Sequence, residues 1–400
     1  MTYHNAVKYF KSSPKESQNS PSDTALSSLW DALGTPQRSL KYLRLTGSNG
    51  KTVCAQMLLS VFHNSEYTVG ALALPFVDDG RENIRINAMP LDIDEFTSYT
   101  EQVLTTLKQI DDSDWQISQS ELLLTVALLA FRAHRCTFCL IESESSLSDP
   151  TKRLPAPFAA AICGTIPEEN HKEAQEIRSY ISHGIQEIVS APQNQNAYRL
   201  ISETCAAINC RLTIPTKNEL TIHRLSLSGS EFSYKNNDYR LSLCGRFQIT
   251  NATVVLEVLD MLSRRGYTLP SEHILEALSS IKIPAKFEII SVSPTIIVDS
   301  THSETAIFTI SETLSEFSPL LGNKLRLCLP SGSLCDQYSE ALEASQYTIT
   351  DLITYDSSEK PKSLARQAIE ALATDEILLI SGYYEHTSKI RTELLKLLSM

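Results

Sequence analysis

Short apolar runs, each closed by glycine, proline or polar residues, alternate along the chain with longer stretches that carry apolar residues at helical spacing. Tyr42-Leu43-Arg44-Leu45-Thr46 reads as a strand running into a glycine-containing loop, and Val53 to Phe62 as the helix behind it. A second strand covers Val69 to Leu74 and stops at Pro75. The strongly apolar stretch Glu121 to Phe131 predicts a buried helix, followed by a strand over 136–142 and another apolar run from Phe158 to Cys163. Residues 184–190 and 210–214 suggest two more short strands, and the Ser-, Pro- and Lys-rich residues 11–24 a loop. Strands alternating with helices at this spacing predict a mostly parallel sheet covered on both faces.

The period then changes. Leu220 to Leu225, Phe232 to Tyr234 and Tyr239 to Leu243 alternate apolar and polar positions, which predicts an antiparallel hairpin meander appended to the first sheet. Helices follow over Asn251–Arg264 and Ser271–Ser280, and a boundary falls near Lys282–Pro284. Beyond it, strands over 295–299, 324–329, 350–354 and 376–380 alternate with helices over 304–315, 338–345, 361–372 and 386–398. The expectation is an α/β protein of two domains, residues 1–283 and 284–400, without internal repeats.

A chain of 400 residues exceeds one ordinary core, consistent with two or three domains. With 42% hydrophobic and 20% charged residues it is a globular composition. The formal net charge of -12 opposes non-specific binding to a nucleic-acid backbone, although a local basic pocket can still take an anionic small molecule. The first residues lack an apolar signal-type segment, and no run of 18 apolar residues exists, so neither a signal peptide nor a membrane span is expected, and the location expected is cytoplasmic. The nine cysteines are scattered. Cys136 and Cys139 form a single CxxC inside an apolar run read as strand; side chains three apart on a strand face opposite ways, which predicts buried structural thiols rather than a metal or redox pair.

The most informative segment is Thr46-Gly47-Ser48-Asn49-Gly50-Lys51-Thr52, set between the first strand and the first helix of the sheet pattern. Glycines let the backbone wrap round an anion at φ values a side chain would forbid. N–H groups at a helix start point at the phosphate, and the helix dipole adds to the attraction. Lys51 is expected to reach the β/γ-phosphates, and the Thr52 hydroxyl a Mg²⁺ ion. A strict Walker A loop would need glycine where Leu45 stands, so this is the shorter GxxGK(S/T) form. An ordinary glycine turn before a helix is the bland alternative; the glycine spacing, the lysine, the threonine and the strand–helix context together weigh against it.

This shorter loop resembles that of the Mur-ligase superfamily, and within it the chain most resembles folylpolyglutamate synthase/dihydrofolate synthase, in order from about residue 40 to about residue 390. Arg81 to Asn87 is similar to the family's RERIRING segment. Glu121 followed by Phe131 matches an FE…AF helix whose Glu helps bind Mg²⁺ in the family, and Glu142 to Thr151 looks like a degraded EVGLGGRLDAT. Leu243 to Ala252 resembles LxGxHQxxNA, which implies that Gln248 and Asn251 lie near a nucleotide. Pro284 to Glu288 resembles PGRFE, with Lys286 in place of a phosphate-contacting Arg. Val298 to Ser303 resembles LDGAHNP, which implies that Asp299 and His302 serve the nucleotide from the second domain, and Ser381-Gly382-Tyr383 looks like a closing GSxY turn. The resemblance implies a central P-loop ATPase domain with a Rossmann-like C-terminal domain, ATP and Mg²⁺ as cofactors, and a folate acid and glutamate as substrates. It also implies a reaction that activates a carboxylate as an acyl phosphate for attack by an amine.

The chain departs from the family at two places. Ser182 stands at the position of a lysine that is often carbamylated and bridges a second Mg²⁺, and Gly164-Thr165-Ile166-Pro167 aligns with the metal-binding GLDH. His171, in an acidic loop, is the candidate substitute ligand, with a solvated loop histidine as the alternative reading. Glu121 likewise is either solvated at a helix end or a metal ligand. Two explanations follow: an active ligase with an altered metal site, or a nucleotide-binding, catalytically impaired relative that serves a protein partner. A Ser-His-Asp hydrolase is a poorer reading, since no GxSxG elbow is present.

Overall fold

The computed structural model describes all residues except 15–22, 48, 75–79, 111–116, 144–148, 167–177, 179–180, 182–184, 302, 346, 357, 371 and 400. Packing divides the chain into two compact units: Met1–Thr216 with Thr253–Ala277, and Lys217–Ala252 with Leu278–Met400.

The first unit is built on an eight-stranded sheet. In chain order its strands are β1 (Tyr42–Thr46), β2 (Val69–Leu72), β3 (Ile84–Ile86), β4 (Met89–Pro90), β5 (Phe138–Glu142), β6 (Ala159–Ile162), β7 (Glu187–Ser190) and β8 (Arg211–Thr213). They lie side by side as β4-β3-β2-β5-β1-β6-β7-β8. From β2 to β8 every pairing is parallel, while β3 and β4 add an antiparallel edge. Strand β1 sits between β5 and β6, with Leu43 opposite both Leu140 and Ala159. All five β1 residues are buried, as a strand covered on both faces requires. The covering helices are α1 (Tyr3–Ser12), α2 (Asp23–Ala32), α3 (Lys51–Phe62), α4 (Ile93–Leu107), α5 (Gln119–Ala133) and α6 (Gln195–Ala207). Helix α5 is buried along nearly its whole length, which explains why its sequence is apolar on every side. A loop was expected over 11–24, but α1 and α2 reach into both ends of that stretch; α1 buries Ala6 and Phe10, and Phe10 stacks on Phe96 of α4.

The second unit holds two sheets. The expected meander forms as β9 (Leu220–Ser226), β10 (Gly229–Tyr234) and β11 (Asn237–Leu241), but as a separate three-stranded sheet rather than an extension of the first. Leu225 and Leu227 pack against the second unit's core, so packing does not cut the chain once between 283 and 284 as expected. Helix α7 (Arg246–Arg264) accordingly starts in the second unit and ends in the first, and α8 (Ser271–Ser280) follows it. The last sheet runs β12 (Glu288–Val292), β13 (Thr295–Asp299), β16 (Glu376–Ser381), β14 (Lys324–Pro330), β15 (Thr348–Tyr355), with only β12 antiparallel. Helices α9 (Glu304–Leu321) and α10 (Ser333–Ala344) cover one face, burying Ile307, Leu314 and Tyr338 with Ile297, Leu327 and Leu379. Helices α11 (Pro361–Ile369) and α12 (Tyr384–Leu398) cover the other, burying Leu364, Ile390 and Leu394 with Ile296, Val298 and Ile380. Neighbouring strand residues go to opposite cores, which is the doubly wound α/β arrangement the periodicity predicts.

The cysteine pair differs from expectation. Strand β5 begins at Phe138, so Cys136 precedes it, donates its amide to Phe131 at the end of α5, and joins Cys139 in the same core. All nine cysteines are buried, and none is in a disulfide.

Candidate phosphate site and its surroundings

Parallel strands gather their carboxyl ends on one edge, and β1 lies where the connections out of β5 and β6 flank it. This is the position at which open α/β sheets bind ligands. The loop leaving β1 passes through Gly47 at φ 113° and Gly50 at φ 81°, both conformations that favour glycine. At Gly47 the requirement is steric too: an added Cβ would sit 2.1 Å from the Cys163 carbonyl oxygen. The Cys163 amide in turn donates to the Thr46 carbonyl at 2.7 Å. Gly164, at φ 74°, brings its backbone so close that a Cβ there would lie 2.9 Å from the Asn49 carbonyl oxygen. The phosphate loop therefore rests on residues 163–164, just past the end of β6.

Gly50 is the N-cap of α3 and supplies no side chain to the helix N–H groups, and the first turn carries no acid. A helix start without a side-chain cap, its dipole and a glycine cradle are the features an anion site uses. The Lys51 ammonium folds back and donates to the Gly47 carbonyl. The Thr52 hydroxyl donates to Glu142 Oε2 at 2.9 Å. Glu142 ends β5, is buried, and was not singled out as a ligand from the sequence. Its signal was there: a carboxylate closing an apolar strand at the edge where parallel strands end. Thr52 and Glu142 together offer hard oxygens of the kind Mg²⁺ takes. Below the loop, the Cys54 thiol is pushed well above its ordinary pKa by its hydrogen bond with Cys163, then by burial, with the Glu142 charge adding. The raised Cys54 thiol is a poor nucleophile and is buried in the packing beneath the loop.

Glu121 is otherwise engaged. It is the third residue of α5 in a capping box: Ser118 Oγ accepts from the Glu121 amide at 3.2 Å, and Glu121 Oε2 accepts from the Ser118 amide at 2.9 Å. Its other oxygen pairs with Arg153 at 3.1 Å. Both oxygens are thus occupied by the protein, and the geometry gives Glu121 a helix-capping role in place of the expected solvated or metal-binding one. The expected ligand His171, the loop residue Ser48, the altered lysine position Ser182 and the second-domain His302 lie outside the described residues. Among the described residues, no group of three or more His, Cys, Asp or Glu side chains forms a metal cluster.

The remaining expected residues belong to the second unit. Asn251 donates to Gln248 at 3.1 Å, one turn apart on α7, and both are buried. Lys286 lies in a tight turn held to the end of β13: Ser300 donates its amide to Ala285 at 2.8 Å, and Phe287 donates its amide to Asp299 Oδ1 at 2.7 Å. Asp299 is buried, and its Oδ2 has no hydrogen-bond partner. Burial pushes its carboxyl above the ordinary value, opposed by Lys286, by Thr301 and by the Phe287 amide. Asp299 thus ties the turn at 285–287 to the carboxyl end of β13.

No family model matches the chain. Over 361 residues it is 22% identical to a dihydrofolate synthase/folylpolyglutamate synthase of Bacillus subtilis, spanning 85% of this chain and 82% of that protein. Over 323 residues it is 22% identical to a folylpolyglutamate synthase of Lacticaseibacillus casei, spanning 77% of this chain and 75% of that one. Among solved structures, an FPGS–AMPPCP–folate complex superimposes with a TM-score of 0.84 at 20% identity, covering 99% of this chain and all of that one. The resemblance expected from the sequence motifs is met along most of the chain, and the two-domain α/β fold is that of these structures. Among the described residues no helix is long and apolar enough to cross a membrane.

Proposed function

We propose that the chain is an ATP- and Mg²⁺-dependent ligase that joins a carboxylic acid to the amino group of an amino acid, with a folate-type acid and glutamate as the substrates its relatives' names point to. The observation that carries this reading is the loop 47–52: a glycine cradle too tight for a Cβ, an uncapped helix start, one ammonium and the Thr52–Glu142 oxygen pair. These residues fit a triphosphate with its metal. Backbone N–H groups at the start of α3 hold the β- and γ-phosphates. The Lys51 ammonium leaves the Gly47 carbonyl for a phosphate oxygen, so the same cation serves loop and ligand in turn. Thr52 and Glu142 would hold Mg²⁺, which would offset negative charge on the transferring phosphoryl group. The acid's carboxylate oxygen takes the γ-phosphoryl group and ADP leaves. The amine nitrogen then attacks the acyl carbon and expels phosphate, leaving an amide. Gln248, Asn251, Lys286, Asp299 and His302 are proposed for the nucleotide on the sequence resemblance alone.

The relatives reported above are synthases, which favours turnover over the partner-subunit alternative. The test is release of ADP and phosphate from the purified protein with tetrahydrofolate or dihydropteroate, glutamate, ATP and Mg²⁺, beside Lys51→Ala. Release that requires acid, glutamate and Lys51 supports a ligase. Calorimetric ATP binding without release under any acid–amine pairing supports the partner-subunit reading, and indifference to ATP ends both.

A further inference from the structure

The loop that braces the phosphate loop is itself held in an unusual way. Past β6 the chain leaves the sheet at Cys163 and runs through Gly164, Thr165 and Ile166. Three backbone groups of this segment are satisfied by two neighbouring side-chain amides from the turn between β7 and α6. Gln193 Nε2 donates to the Gly164 carbonyl at 3.0 Å, and Gln193 Oε1 accepts from the Ile166 amide at 2.9 Å. Asn194 Nδ2 donates to the Ile166 carbonyl at 2.7 Å. Gln193 is fixed from behind, where its Nε2 also donates to Ser190 Oγ at 3.2 Å, and Asn194 is fixed by capping α6, accepting from the Ala197 amide at 2.9 Å. Thr165 adds a hydroxyl donation to the Pro192 carbonyl at 3.0 Å. Ile166 is buried, so its backbone is held at the core and cannot exchange these bonds freely for water.

The two ends of this segment meet different things. Its start, Cys163–Gly164, touches the Gly47 and Asn49 backbone at distances that leave no room for a Cβ. Its far end is gripped by Gln193 and Asn194. A shift of residues 164–166 must therefore either collide with the phosphate loop or open a gap beneath it, because packed backbones of this kind are not continuously deformable.

We propose that Gln193 is a positioning residue for nucleotide binding: through the Gly164 carbonyl and the Ile166 amide it sets the backbone shape of the phosphate loop without touching the nucleotide. This rests on the ligase reading above. One amide side chain bonding a carbonyl and an N–H two residues apart does what a strand partner would do, at a place where the sheet has ended.

The experiment is calorimetric titration of the full chain with Mg²⁺ and the non-hydrolysable analogue AMPPCP, together with thermal unfolding, for wild type, Gln193→Met and Gln193→Glu. Methionine keeps the length and loses the bonds. It is expected to weaken nucleotide affinity about tenfold, as loss of a pair of backbone-directed hydrogen bonds does, and to lower the apo melting temperature by several degrees, since buried backbone groups lose their partners. Glutamate keeps the acceptor for Ile166 but, when ionised, loses the donor for Gly164, so its defect is expected at neutral pH and to shrink as the carboxyl protonates. Unchanged affinity in Gln193→Met overturns the proposal, whether or not the melting temperature falls. If both affinity and melting temperature fall, the Gln193→Glu profile decides: a defect that shrinks with acid supports positioning, and one independent of pH overturns it. A wild-type protein that does not bind AMPPCP removes the ligase reading and this one with it, and is distinguished by failing before any substitution is made.

Discussion

Replacing Gly47 by alanine tests the geometry of the phosphate loop most directly. Two costs arise. The backbone at φ 113° is one that L side chains rarely adopt, which costs about 1–2 kcal/mol. The new methyl would stand 2.1 Å from the Cys163 carbonyl oxygen, and overpacking against atoms that cannot move away costs about 1–3 kcal/mol. Cys163 cannot yield easily, because its amide is bound to Thr46 and its neighbour Gly164 is held by Gln193. Gly266→Ala supplies the control. Gly266 also has positive φ, 90°, but an added Cβ meets nothing within 4 Å. Entropic gains in the unfolded chain are common to both replacements. The difference between the two variants therefore isolates the contact, at about 1–3 kcal/mol. Urea unfolding measures it, and titration with Mg²⁺–AMPPCP measures the function. Gly47→Ala is expected to lose at least tenfold in affinity, since a loop that relieves the clash also turns its N–H groups away from the phosphate, while Gly266→Ala keeps wild-type affinity. Equal stability losses for the two variants, within about 0.5 kcal/mol, would refute the reasoning, as would undiminished binding by Gly47→Ala.

Other outcomes follow from the same geometry. Thr52→Val and Glu142→Gln are each expected to raise the Mg²⁺ concentration needed for turnover and to cut the rate at saturating ATP by about a hundredfold; a magnesium titration that overlays wild type counts against the oxygen pair as the metal site. Ser118→Ala removes half of the capping box and should cost about 1 kcal/mol, and Glu121→Gln should lose the Arg153 ion pair, both with an unaltered response to Mg²⁺. A shifted magnesium requirement in Glu121→Gln would return Glu121 to the metal. Asp299 has its carboxyl pKa raised by burial, so the folded protein holds this proton more tightly than the unfolded chain does. Its contribution therefore falls as pH climbs from the ordinary aspartate range through the raised value, and stays unfavourable above it. Asp299→Asn should accordingly gain stability relative to wild type as pH rises above the ordinary aspartate range, and thermal unfolding showing a constant or shrinking difference would contradict the assignment.

Local periodicity was enough to locate most of the elements. The strand at Tyr42–Thr46, the helix behind it and every parallel strand of the last sheet lie within a few residues of where the apolar pattern puts them. The phosphate loop was equally legible, because what it needs is local: glycines where φ must be positive, a lysine and a threonine at the start of a helix. Even the role of Glu121 was written locally, since Ser118-Gln119-Ser120-Glu121 before an apolar run is a capping-box pattern. Helices α1, α2, α4 and α6 escaped because each mixes polar and apolar residues, and their apolar sides find partners only in the fold, as Phe10 does against Phe96.

Strand order belongs to the tertiary structure alone, and the rest of the site depends on it. Nothing in the chain near Thr52 points to Glu142, 90 residues away; they meet because β5 comes to lie beside β1. Gln193 reaches Gly164 across 29 residues because β7 follows β6 in the sheet. The meander at 220–241 shows the same division: its alternation declared strands, but which core would accept Leu225 and Leu227 did not follow from alternation. Side-chain period and backbone freedom are properties of a few consecutive residues and can be read one window at a time. Adjacency in a sheet is a property of how crossovers pack over the whole unit, and no window contains it.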